Sequence, residues 1–179
     1  MSGSLDQSAQ RLKATAQFQA LDYDGNGYIE LSDYHQAVDG LLAEFSVDGD
    51  APAALDVREQ YVALFDRLRA RADTDHDGRV SQEEFLASVT GSVGRSAGRA
   101  IRPVAHAVFT VCDQDRDDHL TTEEFHRFVK AIGGAESQAD TVLSSFAPDG
   151  RISRDAFTEL LTQFYADGDP NNPLVHFFG

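Results

Sequence analysis

The stretch Asp73-Thr-Asp-His-Asp-Gly-Arg-Val-Ser-Gln-Glu-Glu84 constrains the fold of this chain more than any other. Aspartate stands at its first, third and fifth positions, glycine at the sixth and glutamate at the twelfth. Alternate residues of a tightly wound loop point inward, so Asp73, Asp75 and Asp77 can each offer an oxygen to one hard cation. Ca²⁺ collects about 6–8 oxygens at roughly 2.3–2.6 Å. Gly78 takes the sharp turn that a side chain would resist. The carbonyl of Arg79 adds an oxygen, Ser81 acts through water, and Glu84 closes the cage with two oxygens from the next helix. Val80 is left to pair with a partner loop.

The pattern returns three times with defects. Asp22-Tyr-Asp-Gly-Asn-Gly-Tyr-Ile-Glu-Leu-Ser-Asp33 puts Asp22, Asp24 and Asn26 inward, Gly27 at the turn, and the Tyr28 carbonyl after it. Its twelfth residue, Asp33, is one methylene shorter than glutamate and reaches an ion through fewer oxygens. That favours Mg²⁺ or weaker Ca²⁺ binding. Asp113-Gln-Asp-Arg-Asp-Asp-His-Leu-Thr-Thr-Glu-Glu124 has Asp113, Asp115, Asp117, the His119 carbonyl, Thr121 and Glu124 in ligand positions, but Asp118 where glycine belongs. Aspartate tolerates the left-handed conformation better than most residues, so this loop is expected to close at some cost. The fourth copy keeps Gly150, Ile152, Phe157, Leu160, Leu161 and Phe164 but only Asp149 and Asp155 as acids. Counting back from Phe157 starts it at Ser145. Matching the apolar stripe Val142, Leu143 and Phe146 to that of the third copy starts it at Ala147, two residues short. In either phase it builds no cage and reads as structural.

Apolar residues at helical spacing flank the loops. Phe18 and Leu21 precede the first, on a helix that Ser4 or Asp6 would cap, and Tyr34, Val38, Leu41, Leu42 and Phe45 follow it. Tyr61, Leu64, Phe65 and Leu68 lead into the second, with Phe85 and Val89 after it. Val108, Phe109 and Cys112 lead into the third, with Phe125, Phe128, Val129 and Ile132 after it. The chain therefore divides into an N-terminal pair over 1–92, with 46–54 as an internal linker, and a C-terminal pair over 103–179. Between them, Gly and Ser residues around 93–102 read as a flexible linker, with Pro103 near the start of the next helix. Pro and Asn deny a helix to the last stretch, Asp167–Gly179, yet it ends on Leu174, Val175, Phe177 and Phe178. Burying each is worth roughly 1.5–3 kcal/mol, so this tail is expected to dock in an apolar cleft.

The net charge of −15 belongs to the loops rather than to the surface at large. The three acidic loops hold fifteen of the thirty acids and two of the fifteen bases, leaving only two excess negative charges elsewhere. No basic stripe is present to bind nucleic acid. The single cysteine, Cys112, excludes an internal disulfide and reads as a small core residue. The N-terminus lacks an apolar signal core and no run reaches membrane-spanning length, which points to a cytoplasmic protein. Thirteen arginines against two lysines hint at a GC-rich bacterial source.

Four such loops, three active and one degenerate, in a chain of this length resemble the sarcoplasmic calcium-binding proteins, and among these the calerythrin-like proteins of actinobacteria. The resemblance implies an all-α fold of four EF-hands: eight helices in two packed lobes, compact, with loops joined pairwise by short antiparallel β contacts. Ile29 would then pair with Val80, and Leu120 with Ile152. It also implies a C-terminal tail packed inside.

The function these readings favour is a monomeric protein that buffers or stores Ca²⁺ at three sites, with Mg²⁺ entering at the first. The alternative is a sensor that regulates a protein target. Sensors rely on flexible methionines at the exposed groove, whereas here the only methionine is Met1 and phenylalanine is abundant. A metal-dependent enzyme is the remote third reading. Each Asp-x-Asp pair lies within a loop that commits its oxygens to one ion, and no nucleophilic triad or phosphate-binding glycine loop occurs. His35, His76, His106, His119, His126 and His176 have no zinc-ligand spacing.

Overall fold

The apolar stripes read above lie on helices, with Phe45 and Ile132 at the C-caps of two of them, and four helix–loop–helix units follow one another along the chain. The computed structural model describes residues 2–89, 94–134, 136–147 and 149–166. Helices α1 (Ser2–Leu21) and α2 (Leu31–Glu44) flank the first loop, which contains strand β1 (Tyr28–Ile29). Helices α3 (Pro52–Ala72) and α4 (Gln82–Val89) flank the second, with β2 (Val80–Ser81). Then come α5 (Gly94–Cys112), β3 (His119–Thr121) and α6 (Thr122–Ala131). The last unit comprises α7 (Glu136–Phe146), β4 (Arg151–Ser153) and α8 (Arg154–Ala166). Among the described residues no helix is long and apolar enough to cross a membrane.

The loops join back to back. Strands β1 and β2 pair antiparallel with Ile29 opposite Val80, and β3 and β4 with Leu120 opposite Ile152. All four of these side chains are completely buried. The register therefore matches the family expectation at both seams.

Two expectations about helix starts are corrected. Helix α1 begins at Ser2, so Ser4 and Asp6 lie inside it. Helix α5 begins at Gly94, so residues 94–102 are helical rather than a linker, and Pro103 sits well inside the helix. A proline there removes one backbone bond and costs about 3 kcal/mol. The helix persists because Ile101, Val104, Ala105 and Val108 already share one buried face across the proline. The expected docking tail, 167–179, lies outside the described residues, as do residues 90–93.

The interior does not divide where the chain divides. A smaller core under the first two loops contains Phe18, Ile29, Tyr34, Phe65, Leu68, Val80 and Phe85. The larger core holds the C-terminal helices, but it also takes in Val38, Leu41, Leu42 and Phe45 from α2 and Ala54 and Val57 from α3. Helix α2 packs on α6 as well as on α3, and α3 packs on α5. Polar links follow the same path. Glu44 pairs with Lys130 at 2.9 Å, and the Arg127 guanidinium lies 4.4 Å over the Phe45 ring. Gly40 permits the approach: a Cβ there would meet the Tyr23 hydroxyl at 2.7 Å, and that hydroxyl donates to the Ala131 carbonyl at 3.3 Å.

Phe45 thus belongs to the N-terminal half by sequence and to the C-terminal core by packing. Phe45→Ala is expected to cost about 3–5 kcal/mol and to weaken both halves together. Denaturant unfolding followed at probes in each half checks this. A shift confined to one half would contradict the shared core.

Candidate metal centres

In each of the three acidic loops the backbone winds around the first aspartate. Asp22 accepts from the amides of Asn26 and Gly27, both at 3.0 Å. Asp113 accepts from Asp117 at 3.2 Å and Asp118 at 3.1 Å. This winding needs left-handed residues at the fourth and sixth positions. They are Gly25 and Gly27, then His76 and Gly78, then Arg116 and Asp118. Asp118 adopts φ 65°, so the third loop does close without its glycine.

The twelfth residue ties the loop ends together. Glu84 Oε1 accepts from the amide and hydroxyl of Thr74, both at 2.8 Å, and its Oε2 accepts from the amide and hydroxyl of Ser81. These bonds, led by the Ser81 amide, hold its carboxyl down at about 2. Glu124 repeats the arrangement with Gln114 and Thr121, each backbone bond being 2.9 Å. Asp33, the shorter residue, bonds the Glu30 amide at 2.7 Å but reaches the third residue, Asp24, rather than the second, at 3.3 Å. Burial pushes its carboxyl pKa up, against the lowering effect of those two amides. The missing methylene is therefore visible as a carboxylate drawn deeper into the protein.

The structure brings together Asp22, Asp24 and Asp33; Asp73, Asp75 and Glu84; and Asp113, Asp115 and Glu124. In each trio, one oxygen per residue lies within 4.8 Å of the others. At an effective dielectric near 20, two full charges that close repel by roughly 3 kcal/mol. A divalent cation relieves that repulsion, and oxygen-only donors suit Ca²⁺ or Mg²⁺. In the second loop Asp73 Oδ1 is buried and has no hydrogen-bond partner among the described residues, although Asp73 Oδ2 accepts from Gly78 at 3.1 Å. An unmet buried carboxylate oxygen in an acidic trio is what a cation-binding loop presents.

The fifth-position residues stand apart from these trios. Asp77 bonds the Arg79 guanidinium at 2.7 Å, which lowers its carboxyl pKa. Arg79 in turn lies 3.9 Å over the Tyr28 ring across the β1–β2 seam. The Asn26 side-chain oxygen accepts from the Tyr28 amide at 2.9 Å. Asp117 is bonded by Arg151, which reaches over from the fourth unit. Arg154, at the start of α8, bonds Asp118 at 2.6 Å and lies 3.9 Å from an Asp113 oxygen. His119 Nδ1 turns to the Asp117 carbonyl oxygen, at 3.1 Å.

Sequence reasoning missed these two arginines. The signal was present as positive residues beside Ile152 in a unit paired with the most acidic loop. In the fourth unit itself, α7 ends at Phe146 and Ala147 N bonds the Leu143 carbonyl at 2.7 Å. The same end bond occurs in the third unit, where the Asp113 amide donates to the Phe109 carbonyl at 2.9 Å. Of the two phases open from sequence, the chain adopts the short one, turning through Gly150 at φ 77°.

Comparison with known proteins agrees with this geometry. The family model for an EF-hand domain pair matches residues 11–90. Calerythrin of Saccharopolyspora erythraea is 26% identical over 161 residues, covering 87% of this chain and 88% of its own. A solved structure of a Streptomyces coelicolor calcium-binding protein superposes with a TM-score of 0.78 at 28% identity, over 86% of this chain and 96% of that one. The amphioxus sarcoplasmic calcium-binding protein shares the fold, with a TM-score of 0.67 at 20% identity over 94% of this chain and 96% of its own. Residues 11–90 match an EF-hand domain pair, and the chain as a whole resembles calerythrin in sequence and shares the fold of the sarcoplasmic calcium-binding protein.

Proposed function

We propose that the protein binds three Ca²⁺ ions and serves as a calcium buffer. The observation that carries this reading is the set of three carboxylate trios, each with its oxygens within 4.8 Å, on loops wound as a cation cage requires. Asp22, Asp24, Asn26, Asp33 and the Tyr28 carbonyl would hold the first ion. Asp73, Asp75, Asp77, Glu84 and the Arg79 carbonyl would hold the second. Asp113, Asp115, Asp117, Glu124 and the His119 carbonyl would hold the third. The ion supplies charge neutralisation and draws the loop ends together; the fourth unit contributes packing and two arginines.

The buffer assignment rests on the interior. The larger core locks α2 against the C-terminal half, whereas sensors need each helix pair free to open. A sensor is the second reading, favoured by the likeness to the Streptomyces protein, whose structure is described as a basis for calcium-mediated regulation. Calcium-dependent retention on a phenyl matrix together with a captured protein target would establish the sensor. No change in retention supports the buffer.

Calorimetric titration with Ca²⁺ is expected to resolve three sites, falling to two in Glu84→Gln. Four sites, or an unimpaired Glu84→Gln, would refute the assignment. The first loop should be the weakest for Ca²⁺ or the most sensitive to millimolar Mg²⁺, and Asp33→Glu should reduce that sensitivity.

Arg151 must release Asp117, and Arg154 must draw back from Asp113, before the third loop can close fully on an ion. Exposed pairs of this kind are worth about 0.2–1 kcal/mol. Arg151→Ala and Arg154→Ala are therefore each expected to tighten Ca²⁺ binding at the third site by up to about fivefold. Unchanged or weakened binding in both variants would contradict the competition.

A further inference from the structure

A cavity of about 270 Å³ lies where the two halves meet, behind the first two acidic loops and lined by residues outside them. Six helices contribute to its wall, so it exists only because the N-terminal pair and α5 and α8 are packed together. Its volume is just under the range of small-molecule pockets, roughly 300–1,000 Å³, and suits a compact ligand.

Three features define the chemistry it would accept. The wall is apolar, built on residues such as Leu21, Leu68, Phe85 and Ile101. Tyr34 also lines it. This residue is buried, its ring sits against Tyr61 and Phe65, and its hydroxyl has no hydrogen-bond partner among the described residues. A buried hydroxyl without a partner is costly, so the cavity offers an unmet donor. The rim carries Arg67 and Arg71, one turn apart on α3 on the same stripe as Leu64 and Leu68. Both guanidiniums are exposed, and neither has an ion pair among the described residues. Two adjacent guanidiniums form a natural carboxylate receptor.

We propose that this cavity binds a small amphiphilic carboxylic acid carrying an oxygen acceptor on its apolar body. The carboxylate sits at Arg67 and Arg71, the apolar body lies among Leu21, Leu68, Phe85 and Ile101, and the acceptor takes the Tyr34 hydroxyl proton in a hydrogen bond. The site does not depend on the calcium assignment, since none of these residues belongs to an acidic loop.

The test uses the full chain and three probes of one length: 10-hydroxydecanoate, decanoate and 1-decanol, each titrated by calorimetry. The acids are expected to bind one to one, the hydroxy acid more tightly, and the alcohol at least about tenfold more weakly, the loss expected without charge-assisted hydrogen bonds. Arg67→Gln/Arg71→Gln should weaken both acids about tenfold and leave the alcohol unchanged. Tyr34→Phe should abolish the preference for the hydroxy acid. The arginines are exposed, so their replacement leaves the fold intact, with far-ultraviolet circular dichroism and calcium titration as controls. No binding of either acid, equal binding of acid and alcohol, or indifference to the arginine changes would overturn the proposal. Retained hydroxy-acid preference in Tyr34→Phe would remove Tyr34 from it.

Discussion

Like-charge repulsion is the constraint on which this structure turns. Three carboxylates held within 4.8 Å of one another are unfavourable unless something holds them there. The chain does so with backbone amides aimed at the first aspartate, left-handed residues that aim them, and a twelfth residue that ties both ends of the loop. Behind each pair of loops lies a dry seam, Ile29 against Val80 and Leu120 against Ile152. The seam fixes the positions of four loop backbones, and from those positions the eight described helices run inward to the core. Acidity at the tips and hydrophobic burial behind them are therefore one design: the second supplies the stability that the first consumes.

The two seams balance their charge differently. In the N-terminal pair, Arg79 neutralises its own loop at Asp77 and rests on Tyr28 of the partner. In the C-terminal pair the positive charge comes from the partner, as Arg151 and Arg154. The fourth unit keeps only two acids, Asp149 and Asp155, and is two loop residues short, yet it still supplies β4 and places two guanidiniums on the most acidic loop. Arg154 is held in place by a cation–π contact with Phe109 at 4.2 Å, inside the third unit itself. Loss of a cage in one member of a pair has thus converted that member into a counter-charge for the other.

Much of this was legible in the sequence because each loop position has its own chemical requirement. Aspartate, glycine and glutamate at fixed spacing can be read without knowing any contact, and the seam register follows once two loops are paired. The phase of the fourth unit was half legible: Val142 and Leu143 pointed to Ala147, but only the backbone bond at Leu143 decides it. Residues 94–102 were misread because glycine and serine dominate local reasoning there, while the helix is sustained by Ile101 and Val104 on a face completed only after Pro103. The arginine bridges and the sharing of Phe45 between halves were invisible for a common reason. Both are contacts between residues more than thirty positions apart, and no periodicity within one helix reports its partners.

The shared core also bears on how the molecule can respond to an ion. Closing the first loop pulls on Asp33, at the start of α2. In an independent pair, α2 could swing outward and expose its apolar face. Here its far end is held by Phe45 under Arg127, by Glu44 on Lys130, and by the close approach at Gly40. A rotation large enough to open the pair would break these contacts and draw Val38, Leu41 and Leu42 out of the larger core. Each such side chain is worth about 1.5–3 kcal/mol when buried, so three together outweigh what a modest rearrangement of one loop can return. The strain of loop closure is therefore absorbed within the loop and the smaller core beneath it. That core includes Tyr34, one residue from Asp33 and on the wall of the interlobe cavity, which makes Tyr34 the point where the loop and the cavity meet.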